Sequence, residues 1–441
     1  MPKFSRNQII IISIVGVIAL FLILVFLGFI PGLRPPLKEN QRIDLVFWGV
    51  YDKDSAYQPV ITQFQNLHRG VRITYKQFDP QTYENDLINA LAAGKGPDIF
   101  MIHNTWLPKH YNKISPLPQE KLSFAVYSDQ LFPKVVTKDF TDNKNIIYAF
   151  PLSIDTLALI YDKDAFDKSG VALAPATWDE FQNIVPKLRI LDKTGKISQA
   201  AAAIGGTNKS INRATDLLSL LMLQIGTRMV DSDFTRATFS ETNTSGFSPG
   251  LNALNFYIQF ANPINYDYTW NEALHYSLDA FAEGSAAAIF NYAYQLPYLK
   301  TKNPFLNFGV ALMPQYNQTN PVNYANYWGY TVSNKSSYSN LAWDFILFLT
   351  TSQENVKNYL QETQKPPALR IFIQDPTYLN DPTLGIFTKQ ILTAQSWQQI
   401  DNNKVETIFS DMIESVISGE QTAKTAINQA EAQITQLMNQ Q

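Results

Sequence analysis

Between Ile43 and Ile102 the apolar residues change their spacing four times, and no other stretch constrains the fold as much. Ile43–Phe47 alternates as a short strand. Tyr57, Val60, Ile61, Phe64 and Leu67 then recur at helical spacing, with Asp54 or Ser55 placed to cap the start. Gly70 turns the chain into a second strand, Val71–Tyr75. Tyr83, Leu87 and Leu91 mark a second helix that stops at Gly94, and Asp98–Ile102 is a third strand. This βαβαβ order predicts an α/β fold, a parallel sheet with helices on its faces. Ligands of such sheets bind beyond the carboxyl ends of the strands. Those ends read Trp48-Gly49-Val50-Tyr51-Asp52 and His103-Asn104-Thr105-Trp106. Each sets an indole beside polar groups, which makes Trp48, Asp52, Asn104 and Trp106 candidates to bind a ligand. No phosphate-cradling glycine pattern follows the first strand, which argues against a nucleotide. A flat ring beside carboxylate or amide groups suits a sugar, whose C–H faces pack on the ring while its hydroxyls take hydrogen bonds.

At 441 residues the chain exceeds one ordinary core and suits two lobes with additions. Net charge is −3 with no block of like charges, so nucleic acid is not an expected partner. The absence of cysteine excludes disulfides, thiol catalysis and thiolate metal sites, and the four scattered histidines have no zinc spacing, so no metal or cofactor is expected. Lys3 and Arg6 precede an uncharged run, Ile9 to Ile30, long enough to span a bilayer as a helix. It is longer than a signal-peptide core, and no small-x-small cleavage site follows it. Residues 1–30 therefore read as a cytoplasmic tip and an uncleaved transmembrane anchor in the lipid bilayer. Residues 31–42, with Pro35-Pro36, read as a linker to a body outside the cell membrane. Arg34 and Lys38 on the far side leave only a slight positive-inside bias.

From Tyr148 to Tyr161 the chain is mostly apolar, broken by Pro151 and by one acid, Asp155. Proline cannot donate to a sheet ladder, so the chain enters or leaves a sheet there. A lone acid in an apolar strand costs several kcal/mol unless it is paired or hydrogen-bonded. The stretch suits a crossover between lobes with Asp155 facing the cleft; the alternative is an Asp that caps a turn. Further on, Ala286–Phe290 is a strand that delivers Asn291, Tyr292 and Tyr294 at its carboxyl end, a second polar-aromatic set. Gly246-Phe247-Ser248-Pro249-Gly250 matches a nucleophile elbow in letters, but the residue after the serine must offer an N–H to the oxyanion and Pro249 has none. Ser248 is expected to cap a helix that begins at Pro249.

Several ordered segments together resemble the extracellular solute-binding proteins of ABC importers, in the carbohydrate-binding family typified by maltose-binding protein. These are Leu45-Val46-Phe47-Trp48, Phe64 to Val71, Ala92-Ala93-Gly94-Lys95-Gly96-Pro97-Asp98-Ile99, Asp155-Thr156 with Leu159 to Asp164, Ala176 to Phe181, Ala280 to Ala287 and Phe308 to Pro314. The resemblance implies a two-lobed type II periplasmic-binding-protein fold. It places the first lobe in 43–153 plus 307–350 and the second in 154–306 plus 351–441, joined by three crossings that form a hinge. It also implies that Asp155 contacts the ligand, that the loop holding Asn212 and Arg213 approaches it, and that Trp328 lies near the cleft. The expected partners are a carbohydrate and the permease subunits of an ABC importer with their cytoplasmic ATPase, and the expected state is a monomer. The chain departs from the family in lacking a lipid-modified cysteine or cleaved signal, and in having Asp162 where asparagine is usual. A glycoside hydrolase that pairs Asp155 with Asp52 or Glu84 is the catalytic alternative.

Overall fold

The computed structural model of the protein describes residues 42–440. The expected anchor and most of the linker lie outside the described residues. Among the described residues no helix is long and apolar enough to cross a membrane.

The strands, in chain order, begin with β1 (Ile43–Val50), β2 (Val71–Phe78), β3 (Ile99–His103), β4 (Ile114–Ser115) and β5 (Phe150–Pro151). There follow β6 (Asp155–Thr156), β7 (Ala158–Asp162), β8 (Ile190–Leu191), β9 (Ile197–Gln199), β10 (Ala288–Asn291) and β11 (Phe308–Ala311). The last three are β12 (Asn323–Asn326), β13 (Trp328–Ser333) and β14 (Ala394–Gln395).

The first sheet runs β2-β1-β3-β13-β4, with β5 also on β13. β1 is parallel to β2 and β3, in a register that sets Phe47 beside Tyr75 and Ile99. Helices Gln58–Leu67 and Tyr83–Ala92 connect these strands, which is the βαβαβ unit read from the spacing. One local expectation differs. Tyr57, not Asp54 or Ser55, occupies the helix N-cap and makes no side-chain cap, and Asp54–Ala56 form a 3-10 turn instead. Pro59 in the first turn already removes one of the N–H donors that a cap would satisfy. Phe47 is fully buried at the centre of the core, with the rings of Tyr57, Tyr75, Tyr330 and Phe345 packed edge-on around it.

The second sheet is β10-β7-β11, antiparallel throughout, with Ile160 facing Ile289 on one side and Val310 on the other. This corrects the assignment of all of 307–350 to the first lobe, because β11 pairs with β7 of the second. The chain leaves the turn before Phe308 already beside β7, where Lys163 donates its N–H to the Asn307 carbonyl, so pairing with β7 is the short route. Helix Trp178–Leu188 packs on this sheet and starts with a capping box. Thr177 Oγ1 accepts from the Glu180 N–H at 3.1 Å, and Glu180 reaches back to the Thr177 N–H at 3.4 Å.

A third sheet, β14-β12-β6, is built from the crossing segments themselves. Ile154 packs in the first core and Leu157 in the second, on either side of β6. Tyr324 packs in the second core and Ala325 in the first, so the return crossing lies in β12 rather than near Phe305. Ala394 packs in the first core and Trp397 in the second. The last crossing had been expected near Thr350. Instead Val356, Tyr359, Leu360, Leu369 and Phe372 remain in the first core. Tyr359 explains part of this, because its hydroxyl is bound to Asp52 of the first lobe at 2.7 Å.

Ser248 stands at the start of helix Pro249–Ile258 as expected. Its hydroxyl is engaged by Thr242 at 2.7 Å and makes no cap. Gly250 is required for packing, since a Cβ there would lie 1.9 Å from the Phe239 carbonyl oxygen. The nucleophile-elbow letters thus come from a tight helix contact.

Candidate functional site

A cleft of about 1070 Å³ separates the two cores, with the crossing segment at Asp155 among its walls. The first lobe contributes Tyr51 and Asp52 after β1, His103 at the end of β3, Trp106 just beyond it, and Trp328 at the start of β13. β3 and β13 are antiparallel with His103 opposite Trp328, so two strand ends bring three rings together. Trp106 and Trp328 meet edge to face at 4.9 Å, and Trp106 Nε1 donates to Asn402 Oδ1 at 2.7 Å.

Burial fixes much of the charge in this wall. Burial, then the Arg213 charge, pushes His103 down to about 4, so its ring is neutral at pH 7 and pairs with Thr105 at 2.8 Å. Burial works to raise the Glu84 carboxyl, but His110 at 2.9 Å and Lys109 at 3.0 Å outweigh it and hold the group below its ordinary value. Asp52 is buried and accepts from Lys365 Nζ at 2.5 Å and from the hydroxyls of Tyr359 and Tyr57 at 2.7 and 3.2 Å.

Asp155 lines the cleft with its carboxylate already engaged. Oδ1 accepts from the N–H groups of Thr156 at 2.9 Å and Ala293 at 3.1 Å, and Oδ2 from Tyr294 at 3.0 Å. The side chain therefore ties the first crossing to the turn after β10, the capping task that the sequence had left as the alternative. A carboxylate has about four acceptor positions, and these three N–H groups occupy three of them. Burial pushes the group up to about 7 against the opposing pull of the three N–H donors.

In the second lobe, Arg213 and Tyr294 line the cleft. Arg213 holds Asp216 in a two-pronged pair at 2.9 and 2.8 Å and reaches Glu406 at 3.3 Å. Burial works against the charge, but these acids keep it ionised. Burial raises Glu406, opposed by Arg213.

Five of the expected binding residues do not line the cleft. The two-residue alternation of a strand sends Trp48 to the face opposite Phe47, where its ring covers Phe78 at 4.1 Å. Asn104 is buried and bound to Asp139 at 3.1 Å. Asn291 donates to Asn212 at 3.1 Å, Asn212 donates to the Tyr276 hydroxyl at 3.1 Å, and the buried Tyr292 donates to Asp216 at 2.6 Å. Tyr292 also stacks on Tyr294 and holds Asp216, the partner of Arg213, from behind the wall. The other six lie on the wall: Asp52, Trp106, Asp155, Arg213, Tyr294 and Trp328. Tyr51, His103, Lys365, Asn402 and Glu406 join them without having been singled out. Tyr51 and His103 stood within the strand-end segments. Lys365 and Asn402 stand 313 and 296 residues beyond their partners Asp52 and Trp106, and Glu406 pairs with Arg213 of another helix, so no local spacing signals them.

Behind the cleft, Asp139 grips two crossings. It accepts from Ser396 Oγ at 2.5 Å beside β14 and from the Tyr327 hydroxyl at 2.7 Å beside β12. Burial pushes its carboxyl up to about 6, opposed by these donors.

A family model described as bacterial extracellular solute-binding protein matches residues 49–356. Among curated proteins, the galactooligosaccharide-binding protein of Bacillus subtilis (strain 168) is 21% identical over 89% of each chain. The maltotriose-binding protein of Pyrococcus abyssi is 23% identical, covering 77% of this chain and 69% of its own. Among solved structures, the cyclic alpha-maltosyl-1,6-maltose binding protein of Arthrobacter globiformis superposes with a TM-score of 0.75 at 17% identity, over 91% of this chain and all of that one.

Proposed function

The chain belongs to the bacterial extracellular solute-binding protein family, and from that premise we propose that it captures a sugar or oligosaccharide between its lobes and delivers it to the permease of an ABC importer. The cleft wall carries the reading. Trp106 and Trp328 offer ring faces and edges, and Asp155 and neutral His103 offer acceptor and donor positions beside them. That pairing matches a guest with apolar C–H faces and a rim of hydroxyls. A cleft of about 1070 Å³ has room for more than one sugar ring. The sugar-binding names of the relatives in Bacillus and Pyrococcus support the same class.

Closure follows from the three-stranded crossing sheet. The lobes, with the bulk of 43–153 in the first and 157–311 in the second, turn about it, and a ligand shifts them toward closure only as far as it binds the closed form better. The cleft carboxylates favour binding over hydrolysis: Asp52, Glu84 and Asp155 are each held by a cation or by N–H donors. The Ile9–Ile30 run anchors the protein in the cell membrane as a single pass, with the monomeric binding body outside.

The test is calorimetric titration of the full chain in detergent against malto-, galacto- and manno-oligosaccharides, with analysis of the same samples for cleavage products. Saturable binding without products is the expected result. Product formation would replace the reading with an enzyme, and silence across the panel would remove the sugar.

A further inference from the structure

Tyr51 follows β1 in the first lobe and Tyr294 follows β10 in the second, yet their ring centroids lie 6.3 Å apart with planes at 37°. Both line the cleft and both are open to solvent, at 50% and 40% exposure, so packing in a core does not account for their meeting. Each ring is braced from its own side. Tyr294 stacks on buried Tyr292 at 5.8 Å and 16°, and Asp216 holds the Tyr292 hydroxyl. Tyr51 meets the edge of Trp328 at 6.1 Å.

The backbone points the same way. Among the described residues five non-glycine residues have positive φ, and three of them, Tyr51 (64°), Arg213 (64°) and Gln364 (51°), line the cleft. A bulky side chain in the left-handed region is strained and persists only where its surroundings enforce it. At Tyr51 that conformation turns the chain after β1 so that the ring reaches across the opening.

We propose that Tyr51 and Tyr294 form an aromatic clasp between the lobes, which holds a share of ligand-free molecules closed and slows a bound ligand's escape. The second half rests on the cleft being the ligand site; the first half does not. An aromatic pair of this kind shifts a two-state ratio by about two- to tenfold. A ligand that needs the closed form binds more tightly when that form is already populated.

The chain has no cysteine, so two introduced ones take labels cleanly. Leu67→Cys in the first lobe and Leu173→Cys in the second sit at exposed positions, 66% and 82%. Spin labels there report the inter-lobe distance in the full chain in detergent. Tyr51→Asn removes the ring while tolerating the left-handed backbone, Tyr294→Ala removes its partner, and Tyr51→Phe keeps the ring. Without ligand, either ring removal lowers the closed-to-open ratio about two- to tenfold, the double substitution lowers it no further, and Tyr51→Phe preserves it. With maltotriose as the probe, the dissociation rate rises by a similar factor in the same variants. Unchanged ligand-free distances, or additive losses in the double variant, would overturn the clasp. If maltotriose and the other sugars of the panel bind no form of the protein, the sugar reading falls while the distances still decide the clasp.

Discussion

Replacing Asp155 by alanine separates its two tasks. The substitution leaves the N–H groups of Thr156, Ala293 and Tyr294 without their acceptor, at bonds now 2.9 to 3.1 Å long. Each bond to a charged group contributes about 1.5–3 kcal/mol, and release of the carboxylate from its desolvated position offsets much of the sum. A net loss of about 2–4 kcal/mol follows. Unfolding entropy of about 2.1 cal/mol/K per residue over roughly 400 residues makes each kcal/mol worth about 1.2 °C. Tm therefore falls by about 2–5 °C, read by calorimetry. Asp155 also lines the cleft, so on the sugar-binding reading affinity is expected to fall more than about tenfold in titration, a loss above roughly 1.4 kcal/mol. An unchanged Tm would refute the tie between the crossing and the turn after β10. A lowered Tm with unchanged affinity would confine Asp155 to that tie.

Asp52→Ala leaves Lys365 without its carboxylate, and equilibrium denaturation is expected to register a loss of about 3 kcal/mol. Gly250→Ala forces a Cβ against the Phe239 carbonyl and destabilises the second lobe by about 2 kcal/mol or more in the same assay. Stability also depends on pH. Burial raises Asp155 to about 7 and Asp139 to about 6, above the unfolded value near 3.9. Their stabilising share is whole below pH of about 4 and lost as pH rises through those values, so Tm falls across that window. Asp139→Asn flattens the part near pH 6, which a melting series from pH 4 to 8 will display.

The first lobe was legible because its strands and helices differ in period. Phe47, Phe64 and Leu87 stand where alternation and the 3.6-residue repeat put them, and all three are buried. Trp48 shows the limit of reading strand ends by composition, since one residue of register decides which face an indole takes. β11 was misassigned because its apolar letters fit either sheet, and only its pairing with Ile160 chooses between them. Lys365 reaches the cleft from the first-lobe segment that follows β13, and Asn402 and Glu406 from beyond the last crossing, a long-range arrangement that local pattern does not carry. Asp155 was legible as an acid that needs partners, but the identity of those partners, two N–H groups 138 and 139 residues away, was not.

Tryptophan emission tests the central claim most directly. Trp106 and Trp328 line the cleft, while Trp48, Trp178, Trp270, Trp343 and Trp397 are buried away from it. Titrating the full chain with oligosaccharides is expected to give a saturable emission change with at least one of them, in the micromolar range, about −8 kcal/mol, and Trp328→Phe is expected to diminish it. Emission that no sugar alters, or a sugar response indifferent to Trp328, would contradict a carbohydrate site between the lobes.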